Sequence, residues 1–155
     1  MTLPTPRRAA VAFTGGKDCV LAMHMVSSKF RQLLATPEQQ AKCTGIVLEP
    51  VVLVSFRPRD STDDFKAHKH EWTKLQAESL GMQLVTKYIG AEPTFEESYR
   101  RGIRELHEEY GVSALVTGDI EDIGEGFMGR AVQDTNVELV RPLWKKPREE
   151  ILSLL

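Results

Sequence analysis

Cysteine occurs only twice, at Cys19 and Cys43, which excludes a secreted scaffold stapled by disulfides. The two could pair, but Cys19 falls inside a glycine turn that a bridge would restrict, so both are read as free thiols in a reducing compartment. Long apolar runs are missing as well. None approaches the roughly 18–20 residues that span a bilayer, so no membrane partner is expected. The start, MTLPTPRRAAVAF, sets two arginines before an apolar run that breaks at Thr14-Gly15-Gly16, with neither a long hydrophobic region nor a small-residue cleavage site. It reads as a first strand, and the protein as cytoplasmic. An excess of one charge is also lacking: the formal net charge is −2, which leaves no electrostatic footprint for generic nucleic-acid binding. What remains is 41% hydrophobic and 27% charged, ordinary for a globular domain, so function has to come from sites rather than from composition.

Along the chain, short apolar runs alternate with longer amphipathic ones. Ala9 to Phe13 is strand-like, and the spacing predicts a helix from Lys17 to Leu34. Val51 to Ser55 is a second strand, with Pro50 as a bend or boundary before it. A helix capped at Ser61, Thr62 or Asp63 runs to Leu80 and stops at Gly81, and Gln83 to Ile89 is a third strand. Thr94 with Glu97 has capping-box spacing and opens a helix that ends at Gly111. Val112 to Ile120 reads as a buried fourth strand, EGFMGRAVQDTN as a short helix, VELVRPLW as a fifth strand ended by Pro142, and KPREEILSLL as a last helix. Such alternation implies a parallel sheet with helices on both faces.

The turn Thr14-Gly15-Gly16-Lys17-Asp18-Cys19 stands at the end of the first strand, where open parallel sheets bind ligands. Paired glycines expose consecutive N–H groups, and the helix that follows adds its positive end, so the turn favours an anion such as phosphate or pyrophosphate. Lys17 supplies a charge and Thr14 a hydroxyl, whereas Asp18 would repel phosphate and is assigned to a metal ion or a backbone group. The plainer alternative is a tight strand-to-helix turn. A second glycine-aspartate turn, Thr117 to Ile120, follows another strand; Asp119 there could instead cap the turn after it.

TGGKDC lacks the spacer of G-x-x-x-x-G-K-[ST] and is not G-x-G-x-x-G. It resembles the PP-loop of the ATP pyrophosphatases, S-G-G-x-D-[ST], keeping Gly15, Gly16 and Asp18, with Thr14 in place of the first serine and Cys19 in place of the last hydroxyl residue. Lys17 and three later segments are similar to the diphthine ammonia ligase (diphthamide synthase) family of N-type ATP pyrophosphatases. The segments are LQAESLGMQLV (Leu75 to Val85), GVSALVTGDIED (Gly111 to Asp122) and ELVRPLWKKPREEIL (Glu138 to Leu152), in order over nearly the whole chain.

The resemblance implies an α/β fold, a Rossmann-like (HUP-type) three-layer sandwich with about five parallel strands. It implies ATP and Mg²⁺, and a ligase that adenylates the carboxylate of diphthine, a modified histidine on elongation factor 2. Ammonia then displaces AMP to give the amide. Thr14, Gly15, Gly16, Lys17, Asp18, Cys19 and Gly118 would hold the nucleotide, with adenine beside Val54, Ser55 and Phe56. Lys17, Asp18 and Asp119 would be catalytic, and Asp18 and Asp119 would take the metal. The expected partners are ATP, ammonia and elongation factor 2 carrying diphthine, and a homodimer is left open. The family's pattern continues past the P-L-W helix, whereas this sequence stops at Leu155, so 1–155 is read as a single PP-loop domain lacking the family's C-terminal substrate region. Two rivals remain. One is a nucleotide-binding module or fragment without catalysis. The other is a PP-loop enzyme with another acceptor such as tRNA; a thiolation enzyme of that kind would be expected to carry paired cysteines and a basic RNA face.

Other conspicuous residues receive plainer readings. His68 and His70 are spaced i, i+2 and face apart on a helix, unlike a zinc pair. Cys19 is a small residue facing the turn or core and not a nucleophile. Trp72 and Trp144 read as core or rim packing, and RRGIRELHEEY as a charged solvent face.

Overall fold

A computed structural model describes residues 6–14, 16–27, 47–58, 70–121 and 126–154. In chain order its elements are β1 (Arg7–Ala12), α1 (Lys17–Val26), β2 (Leu48–Pro58), α2 (His70–Leu80) and β3 (Gln83–Ile89), then α3 (Phe95–Tyr110), β4 (Ala114–Val116), α4 (Phe127–Ala131), β5 (Glu138–Val140) and α5 (Arg148–Leu154). The five strands form one sheet in the order β3-β2-β1-β4-β5, and every neighbouring pair is parallel.

Alternation along the strands builds two cores. Ala9 and Val11 of β1 and Ala114 and Val116 of β4 face one side, where α1 packs through Leu21 and Met25, α2 through Ala77 and α5 through Ile151. Ala10 and Leu115 face the other side, under Ile103 and Leu106 of α3 and Ala131 of α4. The result is the expected three-layer α/β sandwich. Full burial of a side chain such as Phe13, Met23 or Leu115 stabilises by about 1.5–3 kcal/mol each.

Pro50 lies inside β2 and not at its boundary. Ala9 pairs with Pro50 and Ala10 with Val52, so one residue of β2 is bulged out there. The bulge explains why Leu48 and Leu53, an odd number of positions apart, reach the same core. The first helix is shorter than its periodicity predicts. Ser27 N–H closes the last turn on Met23 O (3.1 Å), but Ser27 itself is extended and bridges to Leu48, so the helix stops at Val26 and not at Leu34.

The fourth and fifth strands are three residues each, well short of Val112 to Ile120 and of VELVRPLW. Pairing ends just beyond them, with Thr117 N–H donating to Val140 O (3.0 Å), after which the chain leaves the sheet toward α1. The caps of α3 match the sequence. Thr94 accepts from Glu97 N–H (3.1 Å), and Gly111 takes the left-handed conformation (φ 68°) and donates to His107 O (3.0 Å). Glu97 does not reach back to complete the box; its carboxylate pairs with Arg100. The expected caps at 61–63, His68, Cys43 and Gly15 lie outside the described residues.

Two packing expectations need correction. Of the core or rim positions expected for the tryptophans, the core is ruled out for Trp72, which is 58% exposed on α2, whereas Trp144 is half-buried with the Arg141 guanidinium 3.7 Å from its ring centre. Arg100 belongs to no solvent face. It is buried, donating to Gln133 O (3.1 Å) and Arg130 O (2.7 Å), and so ties α4 and the turn after it to α3.

Candidate functional site

In this strand order the chain runs outward from β1 in both directions, and the crevice between the carboxyl ends of β1 and β4 is the switch point. A cleft of about 340 Å³ opens there. The turn after β1 contributes Thr14, Asp18 and Cys19, the end of β2 contributes Ser55 and Phe56, and the end of β4 contributes Gly118 and Asp119. The residues singled out at these three places, and Val54 of β2 with them, therefore line one cavity. Lys17 and Gly16 do not line it among the described residues.

The turn after β1 is held by its own polar groups. Gly16 N–H points to Thr14 Oγ1 (3.4 Å), and Thr14 O accepts from Thr73 Oγ1 of α2 (3.0 Å), which fixes the turn against the helix. Cys19 is buried, and its thiol donates to Gly16 O (3.1 Å). The thiol thus closes the turn from within. Gly16 is the N-cap of α1 and has no side chain to satisfy the first-turn N–H groups, leaving that helix end suited to an anionic ligand.

Gly118 is required by close approach and not by a left-handed backbone. A Cβ on it would lie 2.7 Å from Asp18 C and Cys19 N and 2.9 Å from Asp18 O, all backbone atoms of the first turn of α1. The end of β4 is therefore pressed onto the helix start beneath the glycine turn. Buried Thr117 donates its hydroxyl to Asp119 Oδ2 (2.8 Å) and so orients that carboxylate on the cleft wall. Asp18 and Asp119 supply hard oxygen donors of the kind Mg²⁺ takes, one or two carboxylates with the rest of its shell from phosphates and water. Among the described residues no group of three or more His, Cys, Asp or Glu could hold a metal by itself.

Sequence reasoning missed Tyr99 and Met128, which also line the cleft. Phe56 and Tyr99 stack at 4.9 Å with a 36° tilt, and Tyr99 meets Phe127 edge-on at 5.1 Å. Burial pushes the Tyr99 phenol above its ordinary value, so it stays a neutral donor. The available signal was helical spacing: Tyr99 stands four before Ile103 and seven before Leu106 on the face of α3 that meets the sheet. Met128 gives no such signal, because α4 is only five residues long.

Lys17 points elsewhere. Its ammonium pairs with Asp18 Oδ1 (3.1 Å), and it lines a second, adjoining cleft of about 680 Å³ that shares Asp18, Gly118 and Asp119 with the first. Among the described residues no helix is long and apolar enough to cross a membrane.

No protein-family model matches this chain, and neither does any curated protein sequence. Solved structures do. The chain is similar to a predicted subunit of tRNA methyltransferase from Methanocaldococcus jannaschii, at 15% identity and a TM-score of 0.54, over 96% of this chain and 74% of that one. It is similar also to the U34-tRNA thiolase NcsA from Methanococcus maripaludis, solved with its 4Fe-4S cluster, at 13% identity and a TM-score of 0.55, over 98% of this chain and 57% of that one. This chain spans little more than half the length of the thiolase, and at these identities what it shares with both is the Rossmann-like α/β fold.

Proposed function

We propose that the cleft binds ATP and that the protein is a PP-loop enzyme that activates an acceptor by adenylation. An acceptor oxygen forms a bond to the α-phosphorus, the bridging Pα–O bond breaks, and the bridging oxygen leaves with its electron pair as part of pyrophosphate. The observation that carries this reading is the contact of Gly118 with the first turn of α1, which brings Thr14, Asp18 and Asp119 around one cavity at the switch point.

Phe56, Tyr99 and Met128 offer an apolar and aromatic wall for a base, and Ser55 a polar group beside it. The uncapped N–H groups of α1 suit phosphate oxygens, and Thr14 adds a hydroxyl. Mg²⁺ bound at Asp18 and Asp119 would supply charge neutralisation for the phosphates. Thr117 keeps Asp119 turned to the wall, and the neutral Tyr99 phenol can donate without adding charge.

Two acceptors are in view. The ordered segments over 75–85, 111–122 and 138–152 support the carboxylate of diphthine on elongation factor 2, where ammonia would then attack the activated carbonyl and displace AMP. The structural neighbours support a tRNA acceptor, since both carry tRNA-modification names. Within that second reading, the two cysteines of these 155 residues, Cys19 and Cys43, are fewer than the thiolates that hold a 4Fe-4S cluster.

The test is chromatography of nucleotide products after incubation with ATP, Mg²⁺ and each acceptor together with the nucleophile that displaces AMP. AMP and pyrophosphate in equal amounts are expected, and ADP with inorganic phosphate would overturn the adenylation reading. Stimulation by diphthine-bearing elongation factor 2 with ammonia, or by unmodified tRNA, assigns the acceptor.

A further inference from the structure

The first cleft presents two carboxylates, Asp18 and Asp119, and among the described residues no lysine, arginine or histidine. A triphosphate tail is multiply charged at neutral pH, and a wall of that kind gives it no side-chain cation. The cations stand on the other side of the shared wall. Lys17, Lys146 and Arg148 line the second cleft, which meets the first at Asp18, Gly118 and Asp119. We propose that the polyphosphate end of the nucleotide reaches across this wall, and that Lys146 and Arg148, on the segment after β5, hold the pyrophosphate as it leaves. This inference rests on the ATP reading above.

The segment is built to present these groups. Lys145 N–H donates to Ile120 O (2.8 Å), which binds the segment to the strip Gly118–Ile120 that forms the wall. Lys145 holds a left-handed backbone (φ 58°), a conformation disfavoured for a residue with a Cβ, and fully buried Leu143 anchors the turn before it. Lys146 N–H then donates to Leu143 O (3.1 Å).

The charges there are only lightly committed. Lys17 Nζ lies 3.1 Å from Asp18 Oδ1 and Lys146 Nζ 3.4 Å from Glu150 Oε1, both in solvent-accessible pairs of the weak kind that a phosphate can displace. Arg148 is exposed, has no ion pair among the described residues, and carries a planar fork suited to two phosphate oxygens. Glu121 and the shared Asp18 and Asp119 line the same cleft and oppose an anion, so binding depends on Lys17, Lys146 and Arg148 outweighing them.

The experiment is calorimetric titration of the full chain and of Lys146→Gln, Arg148→Gln and the double variant with Mg²⁺ and ATP, AMP or pyrophosphate alone, at fixed ionic strength. The double variant is expected to lose about ten-fold or more in affinity for ATP and pyrophosphate, as for loss of charged hydrogen bonds. AMP affinity should stay within about two-fold, and Arg148→Lys should recover part of the loss. Unchanged ATP and pyrophosphate affinity in the double variant, beside a wild-type chain that binds both, overturns this assignment alone. An equal loss for AMP and ATP overturns it too, since the substitutions would then act through the fold. A wild-type chain that binds neither ATP nor pyrophosphate overturns the ATP reading with it.

Discussion

Gly118→Ala is the sharpest perturbation available. The added methyl would stand 2.7 Å from two backbone atoms of Asp18 and Cys19, against an ordinary carbon contact of about 3.5–4.0 Å. Neither atom belongs to a flexible side chain, so the first turn of α1 or the end of β4 must move. Overpacking of this kind costs about 1–3 kcal/mol, and in a domain of this size each kcal/mol lowers Tm by about 2–4 °C. The element displaced is the turn that would grip the nucleotide, so ATP affinity should fall more than stability does. Gly129→Ala is the internal control. Nothing lies within 4 Å of a Cβ there, and alanine inside a helix is favoured over glycine by about 0.5–1 kcal/mol. Thermal unfolding and ATP titration of the two variants side by side decide the matter. A Gly118→Ala protein with wild-type Tm and wild-type ATP affinity would refute the close approach and the site built on it.

Three further outcomes are expected. Cys19→Ser should keep the donor to Gly16 O, hold stability within about 1 kcal/mol, and preserve or strengthen ATP binding by calorimetry; a large loss would give the thiol a role beyond closing the turn. Arg100→Met should cost about 2–4 kcal/mol in urea unfolding, because the carbonyls of Arg130 and Gln133 lose their buried donor and α4 its tie to α3. Burial holds His24 below its ordinary value of 6.5, so the unfolded chain takes up a proton before the folded one. Stability should therefore decline as pH falls through about 6.5 toward the folded-state value, and His24→Gln should flatten that slope in Tm measured against pH.

Local signals were reliable where the physics is local. Thr94 and Gly111 announced both ends of α3 because a cap depends only on residues within one turn. Periodicity was less reliable at the ends of elements set by distant partners. The apolar pattern after Val26 continues, yet Ser27 is drawn into a bridge with Leu48; Pro50 reads as a break, yet a bulge opposite Ala9 and Ala10 accommodates it within β2. Val112 to Ile120 reads as one apolar strand because a sequence does not reveal that Gly118 packs on a helix and not on a neighbouring strand.

By itself, then, the sequence determined the alternating α/β plan, the glycine turn after the first strand with Thr14 and Asp18, and the glycine-aspartate turn of Gly118 and Asp119, each marked by local composition, while Ser55 and Phe56 came from the family resemblance. Only the tertiary structure decided that these strand ends meet, that Tyr99 and Met128 complete the cleft, and that Lys17 looks into a second one beside Lys146 and Arg148. The reason is that strand order and helix docking are settled by burial of apolar faces between segments as much as a hundred or more residues apart, such as those of the paired, fully buried Ala9 and Ala114, and no short window of sequence contains both partners.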